Sequence, residues 1–396
     1  MKSLVQIIRL PFYITMILAF LGKFIFEINL IIAIIAIFMI SINISMYKEV
    51  KISYISKTGI TFICVAVLFW LTYILIGNEN NKLIILIDRM EYFKYGVISI
   101  LNIIVFILYS LYDENLKKQI TLIVLVVMFF LISMVIIEVI TEVIQNAGRL
   151  PRIRGFDDNP NLTGFKLNIL LFTIFSLIKH DTKYRVYFII IDVLVAVCII
   201  FTMSRGSMLI YSIIQIFIFN DIAKKNKKEL IIILILFILG SFIVGKFIGN
   251  FELRSDRLTI GGWENQDYSN GRLDLVKNGI KTFMENPLWG VGLGNSGVYG
   301  VMYGTSEKAL MPHNTLVYIL AETGIIPATI LLTSLIALFF RTSSKEYNSV
   351  AKLIIILAIA NFFNHNLHLF PTVYISLFTL LIFDEKNTIN KLNYYK

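Results

Sequence analysis

The sequence predicts an all-α integral membrane protein of about twelve transmembrane helices with one large segment on the outer side. Three observations predict it. Of 396 residues, 57% are hydrophobic and only 16% charged, with a mean hydropathy of +0.78, a balance too apolar for a water-soluble globule. Apolar runs near the ~20 residues that cross a hydrocarbon core recur along the whole length. The connections between them alternate between lysine-rich and lysine-poor.

Taken in order, the runs fall at 7–26, 28–46, 59–76, 92–111, 120–140 and 162–178, then at 186–203, 207–220, 230–248, 316–340, 353–367 and 370–383. Lys2 and Arg9 precede the first run with no small-residue cleavage site after it, so it reads as a spanning helix rather than a signal peptide. One side collects Lys48, Lys51 and Lys57; Lys117 and Lys118; Lys179, Lys183 and Arg185; Lys224, Lys225, Lys227 and Lys228; and Arg341, Lys345 and Lys352. By the positive-inside rule that side is cytoplasmic, and both termini lie there. The chain then divides into nine helices over 1–249, with an outer loop at 141–161; a large outer segment at 250–312; and the last three helices with a cytoplasmic tail at 313–396. The net charge of +10 belongs to loop lysines facing an anionic membrane surface, so no nucleic-acid partner is implied. Cys64 and Cys198 both fall in apolar runs, which indicates neither a disulfide framework nor a thiolate metal site.

Arginine is distributed differently from lysine. Arg149, Arg152, Arg154, Arg205, Arg254, Arg257 and Arg272 fall on or near the outer side. Guanidinium grips phosphate or carboxylate bidentately, whereas lysine suffices for topology. As a set these arginines point to an anionic, lipid-linked substrate.

The run at 207–220 is short for a ~30 Å core, so either the helix is tilted and thinly covered or the Ser204-Arg205-Gly206 break lies below the outer surface. Arg205 there needs an anionic partner in a cavity or an ion pair with a neighbouring helix. In the first outer loop, Asp157 and Asp158 lack metal-ligand spacing, and Asn159-Pro160-Asn161 is turn and helix-cap chemistry. Arg272 opens an amphipathic helix with Leu273, Val276, Ile280 and Phe283 on one face, suited to a membrane surface. Gly292, Gly294 and Gly297 spell GxGxxG, but no strand precedes them and no βαβ unit follows. Their expected use is a tight turn and close approach to a helix or ligand.

Pro312 suits the first turn of the next helix and sets His313 and Asn314 at its outer end. The positive end of the helix dipole favours a neutral imidazole, able to accept a proton from a sugar hydroxyl; a capping histidine is the competing assignment. Glu322, about 13 Å along the same helix, suits a structural pairing. His365 and His368 near the outer end of the eleventh run suit interfacial packing at least as well as substrate contact.

Together, RGFDDNPNLTG, the SRG break, the arginine-led helix ending in PLWGVGLGN, and HN opening a helix that carries AETGI resemble the O-antigen ligase and polymerase superfamily of bacterial surface-polysaccharide assembly. The motifs cover about the second half of the chain. The resemblance implies a GT-C-like membrane glycosyltransferase whose donor is an oligosaccharide on undecaprenyl diphosphate. It also implies no metal or other cofactor, an active site on the outer face of the bacterial cytoplasmic membrane, and membrane lipids, a chain-length regulator and a flippase as partners. By position, Arg272 and Arg205 would hold the donor diphosphate and His313 would act on the acceptor hydroxyl. Arg152, Arg154, Asn161, Ser204, Asn314, Arg254 and Arg257 would support substrate binding. Polymerase is the preferred activity. Ligation to lipid A-core is the alternative within the superfamily, and a polysaccharide flippase the alternative of another class.

Overall fold

The computed structural model describes residues 2–21, 26–47, 97–108, 116–145, 149–150, 152–157, 159–179, 181, 184–224, 252–253, 272–292, 294–297, 299, 311–343, 348–362 and 371–394. In chain order its elements are α1 (Lys2–Leu21), α2 (Phe26–Tyr47), α3 (Val97–Leu108), α4 (Leu116–Gln145), β1 (Arg149–Leu150), α5 (Pro160–Ile178), α6 (Arg185–Thr202) and α7 (Arg205–Ala223). Then come β2 (Glu252–Leu253), α8 (Arg272–Glu285), α9 (Thr315–Thr323), α10 (Ile325–Ser343), α11 (Ser349–Ala360) and α12 (Pro371–Tyr394). The architecture is that of a helical membrane protein. Among the described residues, four helices, α4, α5, α7 and α10, are long and apolar enough to cross a membrane. The runs expected at 59–76 and 230–248 lie outside the described residues.

Two of the differences from the sequence expectation bear on the site. The run at 207–220 is the inner part of a longer helix, α7, whose 19 residues rise about 28 Å at 1.5 Å each. The Ser-Arg-Gly triplet falls where α6 gives way to α7, with Ser204 the N-cap and Arg205 the first helical residue. The run at 316–340 is two helices, because Gly324 takes φ +74 and separates α9 from α10. A glycine inside an apolar run leaves the hydropathy signal unbroken while permitting a left-handed backbone that other residues resist.

The chain forms two compact units, Met1–Ile123 with Tyr268–Lys396, and Val124–Asp267. In the second unit, α5 is the core helix, nearly all of its side chains buried, and α6 and α7 pack against it. Gly164 lets α7 approach closely; a Cβ there would lie 2.5 Å from the Ser207 hydroxyl, the small-residue contact typical of membrane helices. The direction of α4 through α7 sorts the connections. The chain between α4 and α5 and the turn between α6 and α7 share one end of this unit, tied by Ile153 N–H donating to the Phe201 carbonyl at 3.2 Å. Lys179 and Lys224 stand at the other end, where Lys179 also meets Asp221 at 3.8 Å. β1 pairs in parallel with β2, Arg149 opposite Glu252 and Leu150 opposite Leu253. This short ladder ties residues 252–253 to the connection between α4 and α5.

In the first unit, α8 packs on α9, α9 on α10, α10 on α11, and α11 on α12, which also meets α1. The Asp384 carboxylate of α12 accepts from Val350 N–H at 3.1 Å, satisfying one of the orphan donors at the α11 start. At the opposite end of α11, the Asn361 carbonyl accepts from Thr315 N–H at 3.1 Å and fixes the α9 start.

Candidate functional site

The second unit builds one cluster from residues the sequence singled out. Asn159 caps α5, its side chain accepting from Asn161 N–H at 2.9 Å with Pro160 as the first helical residue, so Asn-Pro-Asn is helix-cap chemistry as expected. The Asn161 side-chain oxygen accepts from the Arg152 guanidinium and from the Ser204 hydroxyl, the latter at 2.8 Å. Ser207 donates to Ser204 at 2.9 Å, and Ser204 accepts from Ser207 N–H at 3.3 Å as the α7 cap. Arg152 also donates its Nε–H to the Thr202 carbonyl at 2.9 Å, which neutralises the electronegative end of α6. Between them Met203 turns the chain with φ 48, a left-handed conformation held at a cost of about 1–3 kcal/mol by the surrounding bonds.

This knot has an electrostatic consequence. The positive N-terminal ends of α5 and α7 stand side by side, the α6 carbonyl end is occupied by Arg152, and the exposed Arg205 follows directly. Helix N-termini with an adjacent guanidinium favour an anion. Arg152, Asn161 and Ser204 thus act on one another and hold Arg205 in place. Arg154 is exposed while its N–H donates to Glu138 at 3.1 Å. The Gly155 N–H donates to the same carboxylate, fixing the loop to α4. Arg254 and Arg257 lie outside the described residues, although β2 ends one residue before Arg254.

Two buried polar groups escaped the sequence reasoning. Lys166 on α5 pairs with Asp157 at 2.7 Å, both nearly inaccessible, and Thr163 donates to the second carboxylate oxygen at 3.3 Å. Asp157 is therefore committed to anchoring the loop. Asp192 on α6 accepts from Tyr211 at 2.9 Å and Gln215 at 2.7 Å, both on α7. The available signal was a lone charge inside each apolar run, costly in a membrane unless partnered.

The first unit carries the remaining candidates. α8 begins at Arg272 as expected. Its inward face is Leu275, Asn278, Gly279 and Thr282, whereas Leu273, Ile280 and Met284 are exposed. At Gly279 a Cβ would lie 2.5 Å from the Pro312 ring and 2.6 Å from Val317, so α8 is seated against the α9 start, beside His313. Gly279 follows Arg272 by two turns, roughly 10 Å.

Pro312 precedes the helix by three residues instead of occupying its first turn, and Asn314 is the N-cap, accepting from Val317 N–H at 3.1 Å. The cap role explains Asn314 without substrate. His313, half-buried, is the residue just before the cap. His365 and His368 lie outside the described residues.

The glycine-rich turn closes on the α9–α10 junction. Gly290, Gly292 and Gly294 all take positive φ. Val291 and Gly292 donate to the Ala321 and Glu322 carbonyls, each at 2.9 Å, and Ile325 N–H donates to the Pro287 carbonyl at 2.8 Å. A Cβ at Gly290 would strike the Glu322 backbone, and one at Gly324 the Leu288 backbone. Positive φ at Gly292 and Gly294 fits the expected tight turn, and close backbone approach is made by Gly292 and by Gly290. Glu322 is fully buried and accepts from Ser296 at 3.0 Å, consistent with its expected structural role.

A comparison with curated proteins returns no match. Residues 190–333 match the family model described as O-antigen ligase, a stretch that contains Arg205, Arg272 and His313 and begins beyond Arg152 and Asn161. That stretch, about a third of the chain, is similar to the O-antigen ligase family and holds the SRG, PLWGVGLGN, HN and AETGI motifs.

Proposed function

We propose that this protein is a polysaccharide polymerase. It transfers a growing glycan from undecaprenyl diphosphate onto the next lipid-linked repeat unit, at the outer face of the cytoplasmic membrane. The observation that carries this is the family match across Arg205, Arg272 and His313. The acceptor hydroxyl attacks the anomeric carbon of the donor sugar, the anomeric carbon–oxygen bond to phosphate breaks, and undecaprenyl diphosphate leaves with the bonding pair. His313 takes the hydroxyl proton. Arg272 and Arg205 stabilise the charge that develops on the leaving diphosphate. Arg152, Asn161 and Ser204 position Arg205, Asn314 positions His313 by capping α9, and Arg154, Arg254 and Arg257 meet the glycan or its phosphates.

Arg272→Ala and His313→Ala are each expected to collapse the polymer ladder to single repeats while membrane expression is retained. Intact ladders would remove both assignments. Ligation to lipid A-core is the second activity, supported by the similarity of residues 190–333 to the O-antigen ligase family. A deletion strain separates the classes. Single repeats displayed outside mark a polymerase, polymer retained on its carrier marks a ligase, and single repeats stranded inside mark a flippase.

A further inference from the structure

The exposed face of α8 carries an apolar stripe. Leu273 and Met284 are 62% and 70% exposed, Ile280 lies between them on the same stripe, and Leu288 and Trp289 extend it past the helix end. The opposite stripe, Leu275, Asn278, Gly279 and Thr282, is already buried within the unit. Lys277 and Lys281 line one edge with Asp274 and Glu285, and Lys277 pairs with Asp274 at 3.2 Å in full solvent exposure. A soluble helix turns its apolar side inward and its polar side outward. Here the apolar stripe faces out, a charged edge with two lysines flanks it, and a stripe of mixed polarity, Leu275, Asn278, Gly279 and Thr282, faces the protein.

We propose that this stripe is seated in the lipid of the membrane leaflet on its own side, so that α8 is an interfacial anchor and fixes the depth of Arg272. Continuity with a spanning helix identifies lipid as the occupant. Pro287 and Leu288 accept backbone hydrogen bonds from Ile325 and Ile326, at 2.8 and 3.4 Å. Ile325, Ile326 and Ile330 are themselves exposed on α10, one of the four helices able to cross a membrane. The apolar surface therefore runs from α10 through Leu288 and Trp289 onto α8. Tryptophan prefers the headgroup boundary, and the lysine edge complements anionic headgroups while its stems cover apolar surface. The depth of Arg272 matters through the proposed function, because the diphosphate of a lipid-linked donor lies at that same boundary.

The test uses the full chain with Trp70→Phe and Trp263→Phe, leaving Trp289 as the emitter. It is reconstituted in vesicles of phosphatidylethanolamine and phosphatidylglycerol carrying bromine on either the upper acyl carbons or the chain ends. Strong quenching by the upper position is expected. Quenching by aqueous iodide with none from either lipid overturns the proposal. Independently, in a Cys64→Ser, Cys198→Ser background, Met284→Cys is expected to react with a membrane-impermeant maleimide several-fold more slowly than Lys277→Cys. Equal rates overturn the proposal. Protection of position 284 without lipid quenching of Trp289 also overturns it, since a second copy or another protein then covers the stripe. Neither readout uses activity, so loss of the polymerase assignment leaves the anchor standing. Met284→Glu in the single-tryptophan chain is expected to lose quenching and shorten the polymer. Normal polymer with quenching lost overturns the link to substrate depth.

Discussion

At the scale of single residues, charge near the bilayer is engaged by other residues of the chain wherever the structure resolves its partners. Asp157 and Lys166 form a buried pair. Lys166→Met leaves an uncompensated carboxylate and is expected to cost about 3–5 kcal/mol, visible as a lower unfolding temperature in detergent. The double substitution with Asp157→Asn should recover most of that loss, because both buried charges then disappear. Asn161 presents one oxygen to both Arg152 and Ser204. Asn161→Ala is expected to destabilise by about 1–3 kcal/mol and to shorten the polymer at constant expression, through the misplaced start of α7. The residue types of this cluster were legible from the sequence, since arginine was concentrated opposite lysine. What could not be read was that Arg152 is tied to the Thr202 carbonyl and to Asn161, because all the arginines of the set look alike in composition.

Among the elements, helix length and type were legible where an apolar run had polar ends, as at α4, α5 and α6. Helix ends made of Ser-Arg-Gly or Glu-Thr-Gly were not. A cap adds no hydropathy signal, so the run at 207–220 started two residues inside α7, and Gly324 resembled continuity although it divides α9 from α10. The apolar side of α8 was legible too, but periodicity alone does not say whether such a side meets protein or lipid. Reciprocal contact of Gly290 with Glu322 and of Gly324 with Leu288 leaves no room for side chains. Gly290→Ala and Gly324→Ala each combine a left-handed backbone with a clash on another backbone, and a loss of at least about 2 kcal/mol is expected. The check is the fraction of monodisperse protein on fluorescence-detected size exclusion, with Ser296→Ala as a milder comparison at the same junction.

For the whole molecule, alternation of lysine and arginine connections was the strongest guide to topology, and the second unit sorts them to opposite ends accordingly. Single cysteines replacing Asn159 and Glu252 are expected to label from one side of intact cells, and one replacing Lys224 from the other. Labelling of positions 159 and 252 from opposite sides would dismantle the arrangement. Long-range proximity is what one sequence does not carry, because neither the pairing of residue 149 with 252 nor the docking of α8 on α9 leaves a local pattern. The backbone clasp between Pro287–Gly292 and the junction of α9 with α10 bears on how such a chain can diversify. Both ends of the intervening stretch are pinned by main-chain bonds that require only glycines at fixed places. Side chains elsewhere along Pro287–Gly292 and Ala321–Ile326 can therefore change while the clasp stays as it is, provided Gly290 and Gly324 remain.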